Sequence, residues 1–292
     1  MSPDIQVRIR RRAEKITDPA GREADVLEDR AAREIARQSG VTLQEIYREA
    51  LKLGVYPYRY IRNVEILSAP EQLRLAESRV AVVGAGGLGG QVIVLLARLG
   101  VGTLVVVDCD YFDETNLNRQ ALCVGETLGK PKARAAAQAV ASINPGIRVI
   151  PLPARIEADV IDGILEGSDV VVDGLDNAPD RLLLQEAAGR LGIPMVHGAL
   201  AGFEGRVMTV LPGDAGVKHL YGESADRDGP DRPEAVLGVP AVTAALIGTL
   251  QAMEVLKILL GRGSIFRNVM AYVDLEKGRL DTFRFGESPE KT

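Results

Sequence analysis

From Val80 onward, short apolar runs alternate with longer stretches whose apolar residues recur at helical spacing. Val80–Val83, Thr103–Val107, Ile147–Leu152, Asp169–Val172 and Met195–His197 read as strands. Between them Leu88–Leu99, Pro131–Ile143, Val160–Leu165 and Pro179–Leu191 read as helices. Such alternation predicts βαβ units and a mostly parallel sheet, whose right-handed connections gather the strand C-termini at one edge. Chemistry is expected at that edge. A further strand, Arg206–Leu211, precedes a Gly-, Asp- and Pro-rich stretch, 213–238, too long for an ordinary connection and read as a lid, a crossover or a disordered stretch. A long helix over 241–260 and two short strands over 269–274 and 279–284 follow, ahead of a polar tail at 287–292.

Residues 1–55 are different, rich in Arg, Glu and Ala. Helical spacing runs from Glu28 to Arg37, and Thr42 with Glu45 forms a capping box ahead of Ile46, Ala50 and Leu53, with Gly54 and Pro57 as the stop. This predicts a small helical N-terminal extension. The cluster Arg8, Arg10, Arg11 and Arg12 reads as a solvated, mobile arm.

Composition narrows the function classes. With 292 residues, 46% of them hydrophobic, the chain can bury a full core. Its two cysteines, Cys109 and Cys123, make no disulfide framework, and Met1 is followed by Asp4 and a basic run, so a reducing, cytoplasmic setting is expected. Ala241–Leu260 is interrupted by Gln251, Glu254 and Lys257, so it is expected to be a buried helix and no membrane partner is expected. A net charge of −5 argues against nucleic acid as partner.

The sharpest local signal is Gly84-Ala-Gly86-Gly87-Leu-Gly89-Gly90, where a strand ends and a helix begins. Glycines let backbone approach a phosphate, and the unpaired N–H groups of the first helical turn point at it. Asp108, ending the next strand, is placed to accept a ribose hydroxyl. This much fits any dinucleotide-binding domain, including an NAD-dependent oxidoreductase. The loop that follows favours a triphosphate instead, because Asp110, Asn116, Asn118, Arg119 and Gln120 crowd into it. Arg119 offers a bidentate guanidinium, Lys132 a compact ammionium at a helix start, and Lys130 is the weaker candidate. Asp176, in Asp173-Gly-Leu-Asp176-Asn177, is placed either to hold Mg2+ against phosphate oxygens or to cap the next helix.

Taken together, Gly-Ala-Gly-Gly-Leu-Gly, Asp108-x-Asp110, Thr115-Asn-Leu-Asn-Arg-Gln120, Lys130-Pro-Lys132, Ile143-Asn-Pro145, Leu175-Asp-Asn177 and Ile247-Gly-Thr-Leu-Gln-Ala-Met-Glu254 resemble the MoeB/ThiF/HesA family, relatives of the ubiquitin-activating enzymes. The resemblance runs from about Tyr58 to Arg284. It implies a Rossmann-like α/β fold, doubly wound, with a mostly parallel sheet and C-terminal antiparallel strands. It implies one ATP-binding adenylyltransferase domain over 56–286, with 212–238 as its crossover loop. The implied activity is transfer of AMP from ATP-Mg2+ to a carboxylate. The expected acceptor is the C-terminus of a ubiquitin-like sulfur-carrier protein, the alternative a peptide or modified-nucleoside carboxylate. By the same resemblance the nucleotide would be met by Gly84, Gly86, Gly87, Gly89, Asp108, Asp110, Asn116, Arg119, Gln120, Lys132, Asp176 and Asn177. Within that set Arg119, Lys132 and Asp176 would carry catalysis, Asp176 through the magnesium ion. Arg59-Tyr-Ile-Arg62-Asn63 resembles a segment whose last arginine reaches the γ-phosphate across a homodimer, which would make Arg62 act in trans.

The sequence also departs from that family. Zinc-bearing members carry two CxxC pairs and this chain carries none, so no zinc site is expected. The crossover-loop cysteine of many relatives is replaced by Pro233-Glu-Ala-Val-Leu-Gly238, which argues against thioester transfer there. Cys109 and Cys123 read as bystander thiols, and His197 as a structural residue near the active edge.

Overall fold

The computed structural model describes residues 3–18, 20–222 and 233–285. Helix α1 (Pro3–Arg12) leads into an antiparallel pair, β1 (Glu14–Thr17) and β2 (Glu23–Leu27), then α2 (Asp29–Ser39), α3 (Leu43–Lys52) and a short strand β3 (Tyr56–Pro57) lying parallel to β2. The capping box forms as expected, with Thr42 Oγ1 accepting from the Glu45 N–H and Glu45 Oε2 accepting from the Thr42 N–H at 2.7 Å. The arginine cluster is not a mobile arm. Ile5 and Ile9, one turn apart, are buried in a local core with Leu27, Ile35, Ile46 and Tyr47. That anchors α1, and Arg8 and Arg12 reach Asp4 and Glu34 from its outer face. The extension therefore holds two strands beside its helices, too short and too charged to betray themselves by alternation, and β3 just beyond residue 55 completes a three-stranded sheet.

The main body follows α4 (Ala69–Glu77). Strands β4 (Arg79–Val83), β5 (Thr103–Val107) and β6 (Arg148–Leu152) alternate with α5 (Gly87–Leu99) and α6 (Lys132–Ile143). Next come α7 (Ile161–Leu165), β7 (Val170–Asp173), α8 (Ala178–Leu191), β8 (Met195–Ala201) and β9 (Glu204–Val210). Two short helices, α9 (Lys218–Tyr221) and α10 (Pro233–Leu237), precede α11 (Ala241–Leu260), β10 (Val269–Asp274) and β11 (Arg279–Arg284). The sheet order is β11-β10-β9-β8-β7-β4-β5-β6, parallel from β8 to β6 and antiparallel from β8 outward to β11.

Strand side chains alternate between faces, so both faces need cover. Val80, Val82, Leu104 and Val106 pack with Val92, Leu96, Ile247 and Val255 on the side of α5 and α11. Ala81, Val83, Val105 and Val107 pack with Leu165, Leu184 and Met195 on the side of α7 and α8. Helix α11 is long and apolar enough to cross a membrane by length and composition, yet here it lies against α5, β8 and β9. Its interrupting polar residues are core ties: Gln251 donates to the Asp173 carbonyl at 2.7 Å, and Glu254 accepts from Thr209 Oγ1 at 2.6 Å and the Phe266 N–H at 2.7 Å. The winding direction reverses at β4, because β5 and β6 extend one way and β7 and β8 the other. Connections diverge there and leave a crevice beyond the strand C-termini.

Candidate functional site

That crevice is a cleft of about 520 Å³ lined by the ends of β4, β5 and β7 and the first turn of α5. Gly84 takes a left-handed φ of 92°, and a Cβ there would stand 2.4 Å from the Gly174 carbonyl oxygen, so the β4 and β7 turns meet backbone to backbone. Gly86 caps α5 with no side-chain partner, which leaves the first-turn N–H groups facing the cleft. Gly86 and Gly87 line it. Gly89 does not: its missing Cβ, which would lie 1.8 Å from the Gly84 oxygen, lets α5 seat against the turn.

Asp108 closes the opposite wall. Its Oδ2 accepts from the Ala85 N–H at 2.7 Å and its Oδ1 from the Asp110 N–H at 2.8 Å, which ties the glycine turn to the end of β5. Burial pushes its carboxyl above the ordinary carboxylate value, against the pull of those two N–H groups. Lys132 starts α6 with a buried side chain, and its amine meets Asp110 Oδ2 at 3.0 Å. Arg119 is half-buried at the rim, steadied by the Thr115 carbonyl at 2.8 Å and Asn118 Oδ1 at 3.1 Å. Gln120 is buried between them, its Oε1 without a hydrogen-bond partner. On the far side the exposed Asp176 follows β7. Asn177, not Asp176, caps α8, accepting from the Asp180 N–H at 2.9 Å.

One cleft thus gathers Gly84, Gly86, Gly87, Asp108, Asp110, Arg119, Gln120, Lys132, Asp176 and Asn177. Asn116 stands outside the lining, where its Oδ1 accepts from the Asp113 N–H at 3.1 Å and holds the turn that presents Arg119. Arg62 is also elsewhere, exposed on the turn Tyr58–Asn63, while its neighbour Arg59 is engaged with Asp29 and the Ile143 carbonyl. Cys109 is an exposed thiol of the cleft, pushed up by burial and by Asp110 and Asp108. Cys123 is buried 3.7 Å from the Asp113 carbonyl and is pushed up by burial. His219 stacks on Phe285 with ring centroids 5.3 Å apart.

Sequence reasoning missed Arg155, Asp180 and Arg181, which also line the cleft. The one local signal was the position of Arg181 four residues after the capping Asn177, one helical turn on and under the same turn. A second cavity of about 340 Å³ shares Asp176, Arg181 and Leu200 with the first and continues past Arg206, Tyr221 and Tyr272. Away from both cavities, Asp214 and Arg267 form a two-pronged ion pair, at 2.9 Å and 3.1 Å, joining the segment after β9 to the segment before β10.

Residues 59–292 match the ThiF family. The chain is 38% identical over 234 residues to the SAMP-activating enzyme E1 of Haloferax volcanii, covering 80% of this chain and 86% of that protein. It is 40% identical over 203 residues to the sulfur carrier protein adenylyltransferase of Thermus thermophilus, covering 66% of this chain and 73% of that one. Its fold is similar to that of E. coli MccB crystallised with ATP, at a TM-score of 0.68 and 19% identity, covering 88% of this chain and 83% of the other. The glycine turn, the doubly wound sheet and the matched span agree: the chain belongs to the ThiF family.

Proposed function

We propose that this chain is an ATP-dependent adenylyltransferase that activates the C-terminal carboxylate of a small ubiquitin-like sulfur-carrier protein. The observation that carries the reading is the convergence of Arg119, Lys132 and Asp176 around the glycine turn in one cleft. Names of relatives such as the Thermus thermophilus sulfur carrier protein adenylyltransferase support it. The unpartnered Oε1 of buried Gln120 is a polar atom awaiting a ligand in the same cleft.

In this reading the phosphates rest on the N–H groups of the Gly86–Leu88 turn, and Asp108 accepts from a ribose hydroxyl. Arg119 and Lys132 neutralise phosphate charge, with Asp110 holding the amine of Lys132 in place until the nucleotide arrives. Asp176 offers exposed hard oxygens that fit Mg2+, which when bound supplies further charge neutralisation at the phosphates. The acceptor enters through the second cavity, because its inner end opens on the nucleotide cleft at Asp176 and Leu200. Its carboxylate oxygen forms a bond to the α-phosphorus while the bond to the bridging oxygen breaks, and pyrophosphate leaves with that electron pair. The attacking oxygen is already an anion, so positioning and charge neutralisation suffice without a general base. Arg62 lies outside its own cleft and serves the γ-phosphate of a second copy in a homodimer. The enzyme works in the cytoplasm without zinc, the Asp214–Arg267 pair joining segments that carry no cysteine.

The test is ATP–pyrophosphate exchange with a Gly-Gly-terminated carrier. Exchange that needs both ATP-Mg2+ and the intact terminal glycine supports the reading. Tight binding of NAD with none of ATP overturns it.

A further inference from the structure

Leu175, the residue directly before Asp176, is held by its backbone at both ends. Its N–H donates to Asp173 Oδ1 at 2.9 Å, and its carbonyl accepts from Arg181 Nη2 at 2.6 Å. The two holders also face each other, with Arg181 Nε 3.6 Å from Asp173 Oδ2. The same Oδ2 meets His197 Nδ1 at 2.7 Å. Asp173 and His197 are fully buried and Arg181 nearly so. Burial lowers His197 below its ordinary value, so the neutral ring donates Nδ1–H to the carboxylate.

Side chains from three elements thus bear on the two peptide groups of Leu175, those of β7 and α8 directly and that of β8 through Asp173. Burying a carboxylate and a guanidinium is unfavourable unless each is paired and hydrogen-bonded, so such a cluster is poor value as simple packing. Its geometric product is specific: both hydrogen-bonding groups of Leu175 are spoken for, and the direction in which the chain presents Asp176 is set. Arg181 carries the hold further, since its Nη1 donates to the Tyr221 hydroxyl at 2.5 Å. Asp173 and His197 lie outside the cleft lining, while Arg181 lines it beside Asp176.

We infer that Asp173 and Arg181 are positioning residues for magnesium binding, acting on Asp176 by fixing the backbone of Leu175, with His197 holding Asp173 in register. The inference rests on the proposed role of Asp176. A misplacement of about 1 Å in such a group is enough to lose on the order of 10²-fold in function.

The experiment is calorimetric titration of the full chain with ATP, with and without Mg2+. Arg181→Lys keeps a cation but cannot span Leu175, Asp173 and Tyr221 together. Because Arg181 also lines the cleft, the variant's affinity for magnesium-free ATP is taken as its own reference, against which it is expected to lose about ten-fold of the gain in affinity that Mg2+ brings. Asp173→Asn keeps volume and an acceptor for the Leu175 N–H, and decides the matter if Arg181→Lys does not fold; it should lose part of the same gain. If both variants keep the full gain, or lose both affinities equally, the positioning role is overturned. Asp176→Asn separates the two readings. Should it retain the gain, the magnesium assignment falls and this inference with it; should it lose the gain while Asp173→Asn and Arg181→Lys keep it, only the positioning role falls.

Discussion

Gly89→Ala is a substitution for which local and tertiary physics demand opposite signs. Alanine is the better helix former by about 1 kcal/mol, and Gly89 lies in the first turn of α5, so propensity alone calls for a more stable protein. A Cβ at this position, however, would stand 1.8 Å from the Gly84 carbonyl oxygen, against a practical floor of 3.0 Å, so α5 or the turn must retreat by about 1.2 Å. Neither retreats easily. Gly84 is pinned by its N–H to the Val107 carbonyl at 2.8 Å and faces the Gly174 backbone, and α5 is packed against α11. Forced backbone shifts in a packed core cost about 1–3 kcal/mol, and a backbone-to-backbone clash belongs at the upper end. After the propensity gain, a net loss of about 2 kcal/mol remains, which in a domain of this size lowers Tm by about 4–8 °C. The displaced turn is also the proposed phosphate cradle, so ATP affinity should fall by about ten-fold or more. Thermal unfolding and ATP titration of the same preparation measure both. A raised Tm with unchanged ATP affinity would refute the close approach of α5 to the turn.

Three further outcomes are expected. Lys132→Ala should slow pyrophosphate exchange by about 10²-fold or more through the lost ammonium, yet shift Tm by less than about 3 °C, because its partner Asp110 is 64% exposed and tolerates solvation; exchange near the wild-type rate would remove Lys132 from the phosphate site. Arg62→Ala and Asp176→Asn should each be inactive alone, while mixing them after dissociation and reassociation should restore about a quarter of wild-type activity, since half the dimers then carry one complete site; no recovery would place Arg62 outside the site. Burial would raise the Asp214 carboxyl, but the Arg267 guanidinium and the Leu211 N–H hold it below the ordinary carboxylate range. Its stabilisation is therefore present above the unfolded value of about 3.9 and is lost as pH falls through the lower folded value. Asp214→Asn should thus lower stability by about 1–2 kcal/mol at pH 7, the difference fading below about pH 4 in pH-dependent denaturant titrations.

Much of the fold was readable because it is encoded between near neighbours. The apolar runs from Val80 to Val172 give the parallel strands, Thr42 with Glu45 gives a helix start, and Gly84 to Gly87 gives the turn from a strand into a helix. Strand β1 and strand β2 escaped because four or five half-exposed residues rich in charge carry no period, and they exist through pairing with each other. Helix α1 looked like a solvated arm for a related reason: four arginines dominate its composition, while Ile5 and Ile9 are buried in the local core.

The division within the site follows the same physics. Residue types and their order along the chain were enough to nominate Asp108, Arg119, Lys132 and Asp176, because a nucleotide's charges call for those groups after those strands. They could not separate Gly89, which serves the approach of a helix, from Gly87, which faces the cleft, nor show that Asn116 supports a turn while Gln120 lines the cavity. Nor could they reveal that Asp173, Arg181 and His197, on three different elements, share one buried cluster beneath Asp176. Such partnerships depend on strand order and on which face of each element is turned inward. Those are long-range facts, settled when β7 pairs with β4 on one side and β8 on the other.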